Sequence, residues 1–497
     1  MSPALSYDTH MGHYLAFDLG AESGRAISGT LRDGALTVEE LHRFPNDPIR
    51  SAEGLHWDIE RLWGEIQRGI HIANDRGDRP DGIGVDAWGV DYGLLDASGK
   101  LLENPRHYRD SRNNGMMEAV FARVPREEVF ACTGIQFMQI NTLYQLYAAS
   151  LESPEMLARA RWLLNIPDLF NYWLTGEARS EATIASTTQF FNPVGMTWAT
   201  DLLTRLGLPC QVLCLVVMPG TALGRTLVPP HTAVYATAGH DTASAVAAAP
   251  ADGGTEWCYI SSGTWSLMGV ELDRPVIGSE SLAHNFTNEV GVAGKIRLLK
   301  NIAGMWLLQE CRRAWMAEGV AYSYEQLARM ASEAHPHLCV IDPDAFLEPG
   351  GMPLKIADYC RRTGQKPPAT HAEFTRVILE SLALRYRQVL ESLEILGGRE
   401  ISVIHIVGGG SRNSVLNQFV ADATGRRVVA GPSEATAIGN ILVQAMGAGE
   451  LAGLDAIRAV VRRSFPPVTV EPRAAGDWEN AYRRYRSIVA DSRAAGG

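Results

Sequence analysis

The sequence predicts an α/β protein built from two related halves. Two β-turn-β segments carry this reading, Tyr14–Ile27 and Trp257–Val270. In each, an apolar run meets a turn of glycine and hydroxyl residues before apolar character resumes: Gly20-Ala-Glu-Ser-Gly24 in the first, Ser261-Ser-Gly-Thr-Trp-Ser266 in the second. Glycine permits tight turns and hydroxyls add donors, so such a turn suits an anion held by backbone N–H groups. The third observation is that strands alternate with helices, the signature of α/β layers. At 497 residues the chain is too long for one core. Two turns, one per half, suggest a duplicated fold gripping one polyphosphate.

The elements follow in order. After the first turn, Ala35–Phe44 reads as a third strand and Asp58–Ala73 as a helix. Ile83–Trp88 reads as a buried strand and Asp91–Leu95 as a strand edge. Val234–Thr237 is a short strand ending at Gly239-His240-Asp241, with a small-residue helix at Ala243–Ala249. Pro250-Ala-Asp-Gly-Gly254 is a breaker cluster and the best domain boundary. Beyond it, Ile302–Glu318, Tyr324–Ala334 and Ala372–Leu396 read as helices, the last with apolar residues at mixed three-four spacing. Ser402–Val407 is a strand of high β propensity, ending in Gly408-Gly409-Gly410 and running into a helix through Asp422. Glycines at a strand's C-terminal end stand where open α/β sheets bind ligands.

Composition excludes several classes. The chain is 46% hydrophobic and 20% charged, ordinary for a globular protein. A net charge of −11 disfavours non-specific attraction to nucleic acid or anionic membrane, and neither is expected as a partner. Seven cysteines without a Cys-x-x-Cys pair point to a reduced, cytoplasmic setting. Met1–His13 reads as a short polar extension without a signal pattern. The longest strongly apolar run, Val212–Met218, is too short to span a bilayer. No Gly-x₄-Gly-Lys-Ser/Thr, no Gly-x-Gly-x-x-Gly and no zinc-ligand spacing occurs.

Each candidate has a plainer counterpart. Asp18-Leu-Gly20 alone is a turn; followed by Ala-Glu-Ser-Gly-Arg25, it places a carboxylate where it can hold Mg²⁺ through water. Asp241 is either the N-cap of the helix behind it or a base presented at a strand end. His240 reads as structural or substrate-contacting, and Trp88 as core, with Gly89 beside it leaving room for a ligand. Tyr108-Arg-Asp-Ser-Arg112 reads as a solvated ion pair. The glycine triplet costs backbone entropy, which favours a close ligand over a mere helix entry.

Taken together these stretches resemble the FGGY carbohydrate kinases, within the actin-like and hexokinase-like ATPase superfamily. The resemblance runs from about Tyr14 to Tyr485. It is carried by Asp18–Arg25, Gly84–Gly93, Tyr108–Arg112, Gly239–Ser244, Ser262–Gly269, Phe286–Glu289, Lys300–Gln309 and Val407–Asn413. It implies an α/β fold of two ribonuclease-H-like domains with an interdomain cleft. Residues 1–250 would hold the sugar site and first phosphate turn, and 251–497 the second phosphate turn and adenosine site. It implies ATP as donor, Mg²⁺, and phosphorylation of a ketose at O1, with L-rhamnulose the first choice and L-fuculose, L-xylulose or another ketose as alternatives. A nucleotide-binding regulator is a further alternative. Asp241 would be the base. Gly89, His240, Asp241, Thr242 and Asn301 would meet the sugar. Ala21, Glu22, Ser23, Gly24, Arg25 and Thr264 would border the phosphates, and Gln309, Gly409 and Gly410 the nucleotide. A monomer or homodimer is expected. Two positions depart from the family pattern: Glu22 where a small residue is common, and Ala87 where Thr is frequent. Glu22 would repel a phosphate unless it faced Mg²⁺ or solvent.

Overall fold

The first strand is nearly all apolar from Tyr14 to Leu19, and those residues are all buried. The computed structural model describes residues 11–77, 79–254, 256–473 and 476–496. In chain order its main elements are β1 (Met11–Leu19), β2 (Ser23–Arg32), β3 (Ala35–Pro45), α1 (Ile59–Asp75), β4 (Gly82–Ala87), α2 (Thr142–Glu152), β5 (Thr221–Arg225), β6 (Ala233–Ala236) and α3 (Asp241–Ala247). There follow β7 (Trp257–Ser262), β8 (Trp265–Leu272), β9 (Thr287–Val290), β10 (Ile296–Ala303), α4 (Trp306–Ala317), α5 (Tyr324–Glu333) and α6 (His371–Gly397). The last are β11 (Val403–Val407), α7 (Ser414–Thr424), β12 (Arg427–Ala430), α8 (Ala435–Gly447) and β13 (Val468–Val470).

The duplication is visible in the strand orders. One sheet runs β5-β6-β4-β1-β2-β3 and the other β9-β10-β8-β7-β11-β12-β13. In the first, β1 pairs antiparallel with β2 and parallel with β4, which in turn is parallel to β6. In the second, β7 pairs antiparallel with β8 and parallel with β11, which is parallel to β12. Each sheet closes that edge with an antiparallel strand, β5 or β13. Parallel strands covered on both faces read as continuous apolar runs, and β4 is buried at all six positions.

The chain forms two compact units. The first takes the chain up to Asp252 together with Glu271–Leu298 and Ala435–Pro466. The second takes Gly253–Val270, Leu299–Glu434 and the chain from Pro467. In the first unit Leu15, Phe17, Leu19, Ile83, Val85, Leu62 and Ile66 share one core. Asp58 caps α1 by accepting from Arg61 N at 3.2 Å, and Ile59, Leu62, Ile66, Gly69 and Ala73 form its buried stripe. Helix α8 returns late in the chain to pack on β1, β4 and α3. A Cβ at Gly439 would lie 1.8 Å from the Ser244 carbonyl oxygen, so only glycine permits that approach of α8 to α3.

Several expectations are corrected. Met11–His13 open β1 rather than closing a polar extension, and the first ten residues lie outside the described ones. Ile302 belongs to β10, and the helix expected from there begins at Trp306. The break is Gly304, where a Cβ would meet Ser266 Oγ and the Trp265 carbonyl carbon, each at 2.6 Å. The glycine triplet does not enter a helix directly: Gly409–Arg412 form a 3₁₀ turn and Asn413 then caps α7. Around Tyr108–Arg112 the ion pair is not solvated. Asp110 is buried, accepts from Leu55 N at 2.6 Å and lies 3.9 Å from Arg106. No helix among the described residues is long and apolar enough to cross a membrane.

Candidate active site

In the first unit, three parallel strands end at one sheet edge. Leu19 and Ala87 are register partners at the ends of β1 and β4, and Ala87 bridges to His240 beyond β6. The link is tightened by Ala87 N donating to Gly239 O at 2.9 Å and Trp88 N to Leu19 O at 3.2 Å. The first turn, Trp88-Gly89 and the Gly239-His240-Asp241 turn are thus brought together, as the strand ends of an open α/β sheet require for a ligand site.

Asp241 is the first residue of α3, and His240 occupies the N-cap position, so the capping reading of Asp241 is corrected. Its Oδ1 instead accepts from Thr242 N at 2.5 Å and Thr242 Oγ1 at 3.1 Å. These bonds aim the carboxylate, whose side chain remains 31% exposed. Burial pushes its pKa above the usual carboxylate range. The charge of Asp18 adds to the rise, while His240 and the Thr242 donors oppose it. A raised pKa is what a base acting near neutral pH needs.

Glu181 fastens the turn from below. Its Oε2 accepts from Gly239 N at 2.9 Å and Ile184 N at 3.2 Å, and its Oε1 from Thr183 N at 2.8 Å. Thr183 Oγ1 in turn accepts from His240 N at 3.1 Å. Burial raises Glu181 to about 7 against these hydrogen bonds.

Gly89 leads into the site on a segment with its own anchor. Val90, at φ 69°, donates its N–H to Thr187 Oγ1 at 3.2 Å. Asp91 is the centre: its Oδ2 accepts from the Trp57 indole at 2.6 Å, the Trp88 indole at 2.9 Å and Tyr108 N at 3.3 Å. Its Oδ1 accepts from Gln145 of α2 at 2.8 Å. Burial, outweighing those donors, raises it to about 6. Trp88 is core, as its sequence context implied. A Cβ at Gly89 would stand 3.4 Å from Thr187 and 3.5 Å from His240 Nε2, so this glycine and the histidine face the same space.

The first turn is closed by Gly20 N donating to Ser23 O at 2.9 Å and Asn46 N to Glu22 O at 3.0 Å. Gly24 packs under Phe44, where a Cβ would meet the ring. Glu22 is exposed, so it points to solvent, while Ala21, Ser23 and Arg25 are half-buried. Arg25 pairs with Asp18 across the hairpin register. Asp18 is also the register partner of Asp86. Asp86 is fully buried; its Oδ2 accepts from Asn440 of α8 at 2.6 Å, and its Oδ1 has no partner among the described residues. Burial, then Asp18 and Asp241, push Asp86 well above the usual carboxylate range.

The second unit gathers the other predicted residues. The turn between β7 and β8 closes with Gly263 N donating to Trp265 O at 2.8 Å. Met305 N donates to Gly263 O and Trp306 N to Thr264 O, both at 3.1 Å, so the start of α4 abuts this turn. Gln309 lies one turn further along α4, and its buried Oε1 has no partner among the described residues. Gly408, at φ 84°, and Gly410 pack on Ser262, whereas a Cβ at Gly409 would meet nothing within 4 Å. Asn301 lies half-buried on β10. The sequence singled out the motifs holding Asp86, Asp91 and Glu289 without assigning those side chains a task; Glu181, Arg297 and Asn440 carried no such signal.

Residues 13–247 match the N-terminal domain of the FGGY family of carbohydrate kinases and residues 258–448 its C-terminal domain. A rhamnulokinase of Bacteroides thetaiotaomicron is 46% identical over 486 residues, covering 96% of this chain and 99% of that one. A rhamnulokinase of Pectobacterium carotovorum is 43% identical over 480 residues, covering 95% and 96%. Among solved structures, xylulose kinase from Rhodospirillum rubrum aligns with a TM-score of 0.76 at 18% identity, over 96% of this chain and 98% of that one. Plasmodium falciparum glycerol kinase with ADP aligns at 0.75 and 14% identity, over 97% of each chain. Matched by both family models and 46% identical to a relative over nearly its whole length, the chain belongs to the FGGY family of carbohydrate kinases.

Proposed function

We propose that this sugar kinase transfers the γ-phosphoryl group of ATP to O1 of L-rhamnulose, giving L-rhamnulose 1-phosphate and ADP. The observation that carries the chemistry is Asp241, a partly exposed carboxylate at a sheet's C-terminal edge, aimed by Thr242 and with a raised pKa. The choice of sugar is supported by relatives 40–46% identical over nearly the whole chain that bear the name rhamnulokinase.

Asp241 accepts the O1 proton as O1 attacks the γ-phosphorus and the bond to the ADP oxygen breaks. Gly89, His240, Thr242 and Asn301 orient the sugar. Backbone N–H groups of the Ala21–Arg25 turn and of Thr264 stabilise phosphate charge. Gln309, Gly409 and Gly410 border the nucleotide. The open space at Gly409 and the unpartnered Gln309 Oε1 support that assignment. The sugar site and first turn are assigned to residues 1–250, and the second turn and adenosine site to 251–497. Seven free thiols support a cytoplasmic setting.

Asp18, a carboxylate at the turnward end of β1, would hold Mg²⁺ through water, since hard cations take oxygen ligands and keep their hydration. When bound, Mg²⁺ offsets phosphate charge.

The test is ADP release from ATP and Mg²⁺ with L-rhamnulose, L-fuculose and L-xylulose in parallel. The highest kcat/KM is expected with L-rhamnulose. A preference for another ketose overturns the substrate, and ADP release independent of any sugar overturns the kinase reading.

A further inference from the structure

His240 is held from behind by a buried ion pair that the proposed chemistry does not use. Glu289 on β9 and Arg297 on β10 are both buried, Arg297 completely. Glu289 Oε2 lies 3.0 Å from Arg297 Nη2 and 3.1 Å from His240 Nδ1. Arg297 is fastened in turn by Nε donating to Val290 O at 3.2 Å, and Val290 N donates to Ser186 Oγ at 2.9 Å. On the other side of the ring, Nε2 lies 3.5 Å from Asp241 Oδ1 and faces the space beside Gly89.

The hydrogen-bond inventory sets the ring's tautomer. Arginine only donates and an ionised carboxylate only accepts. Burial alone would raise Glu289, but Arg297 and His240 outweigh it and hold its carboxyl below the usual range. Arg297 Nη2, which carries two protons, also lies 3.2 Å from Nδ1, but a bare Nδ1 would set its lone pair against the Glu289 carboxylate oxygen 3.1 Å away, a contact that a proton on Nδ1 turns into a hydrogen bond. Nδ1 therefore carries a proton donated to Glu289, and in the neutral ring Nε2 presents its lone pair toward Gly89 and Asp241. The hydrogen bond made by one ring nitrogen decides the state of the other.

We propose that Glu289, locked by Arg297, is a positioning residue that fixes His240 as the Nδ1–H tautomer, so that Nε2 accepts from a substrate hydroxyl neighbouring the one that loses its proton to Asp241. This rests on the reading of Asp241 as the base. The charged groups facing Asp241 are His240, Asp18 and Asp86, with Arg25 paired to Asp18. Those facing His240 are Asp241, Glu289 and Arg297.

The test combines ¹⁵N NMR of histidine-labelled protein with steady-state kinetics. The His240 signals are assigned by their loss in His240→Gln. In the wild type, Nδ1 is expected to show the shift of a protonated nitrogen and Nε2 that of a bare one. Glu289→Gln presents an amide that can donate to Nδ1, and the two shifts are expected to exchange. With it kcat/KM for the sugar falls about 10- to 100-fold, the range for an outer group that orients an active-site histidine, while KM for ATP holds. A merely structural role predicts a lower melting temperature, unchanged shifts, and unchanged kcat/KM per folded molecule; that result overturns the proposal. Because Glu289→Gln leaves Arg297 without its counter-charge, the double variant Glu289→Met with Arg297→Met is measured as well, since it strands no buried charge. Wild-type kcat/KM in the double variant likewise overturns the proposal. Asp241→Asn is run alongside: if it turns over like wild type, the base assignment falls, and the His240 shifts still decide whether Glu289 sets the tautomer.

Discussion

Gly410 rests directly on Ser262: a Cβ built on it would lie 2.0 Å from Ser262 Oγ and 2.5 Å from Ser262 Cβ. Its neighbour Gly409 faces open space and has no left-handed φ. The two glycines are therefore expected to fail differently. Gly410→Ala should lower the melting temperature, because a crowded core contact costs about 1–3 kcal/mol. Gly409→Val should keep the melting temperature and weaken ATP affinity. Calorimetric titration with a non-hydrolysable ATP analogue, beside melting curves, separates them. Unchanged ATP affinity in Gly409→Val would remove this loop from the nucleotide site.

Asp241→Asn keeps the shape of the side chain and the possibility of accepting from Thr242. It is expected to fold and to bind ATP, with turnover reduced about 10²- to 10⁴-fold, the usual contribution of a general base. Turnover near the wild-type rate in the folded variant would falsify the assignment.

Asp91 gathers two indole N–H groups, a backbone N–H and the Gln145 amide on one carboxylate. Asp91→Asn turns one acceptor into a donor among donors. Each stranded buried group costs about 1–3 kcal/mol, so denaturant midpoints should fall. Because Asp91 anchors Trp88 and the chain around Gly89, KM for the sugar should rise while KM for ATP stays. A destabilised variant with unchanged sugar KM would show that Gly89 does not depend on this anchor.

Glu181 gives a pH signature. Burial is the largest cause of its shift and raises it from 4.5 to about 7. Across that window the folded chain holds a proton that the unfolded chain has already released. The folded state then binds more protons, so this contribution to stability is present below 4.5 and is lost as pH rises through about 7. Asp91, raised to about 6, acts in the same sense. Glu181→Gln should remove its own share, so thermal stability should fall less between about pH 5 and pH 7.5 in the variant than in the wild type. Parallel slopes in the two proteins would argue that Glu181 stays ionised throughout.

The parts legible in the sequence are those whose chemistry is local. The turns after β1 and β7 announce themselves by glycine and hydroxyl residues between apolar runs. Asp241 stands out because a strand, a glycine and a helix flank it within a few residues. What the sequence leaves silent is decided by distant partners. Asn440 meets Asp86 across 354 positions. Glu181 reaches Gly239 across 58, and Asp91 is held by Gln145 across 54. A lone glutamate or asparagine carries no periodicity that would reveal such a partner. The helix boundary near Gly304 was hidden for the same reason: the obstacle, Ser266, lies in another strand.

Helix α8 also bears on the order in which the protein is made. It covers Gly82 and Gly84 of β4, where added side chains would strike Gln444 and Asn440, and it supplies the amide bonded to Asp86. A ribosome that has released only the first 250 residues has delivered β1, β4 and β6 without their cover. That nascent sheet leaves apolar residues wet and the Asp86 carboxylate unanswered until about two hundred further residues emerge, so the first half of the gene encodes a piece that cannot mature on its own. The sheet edge that carries Asp241 can set only once this late helix has been made.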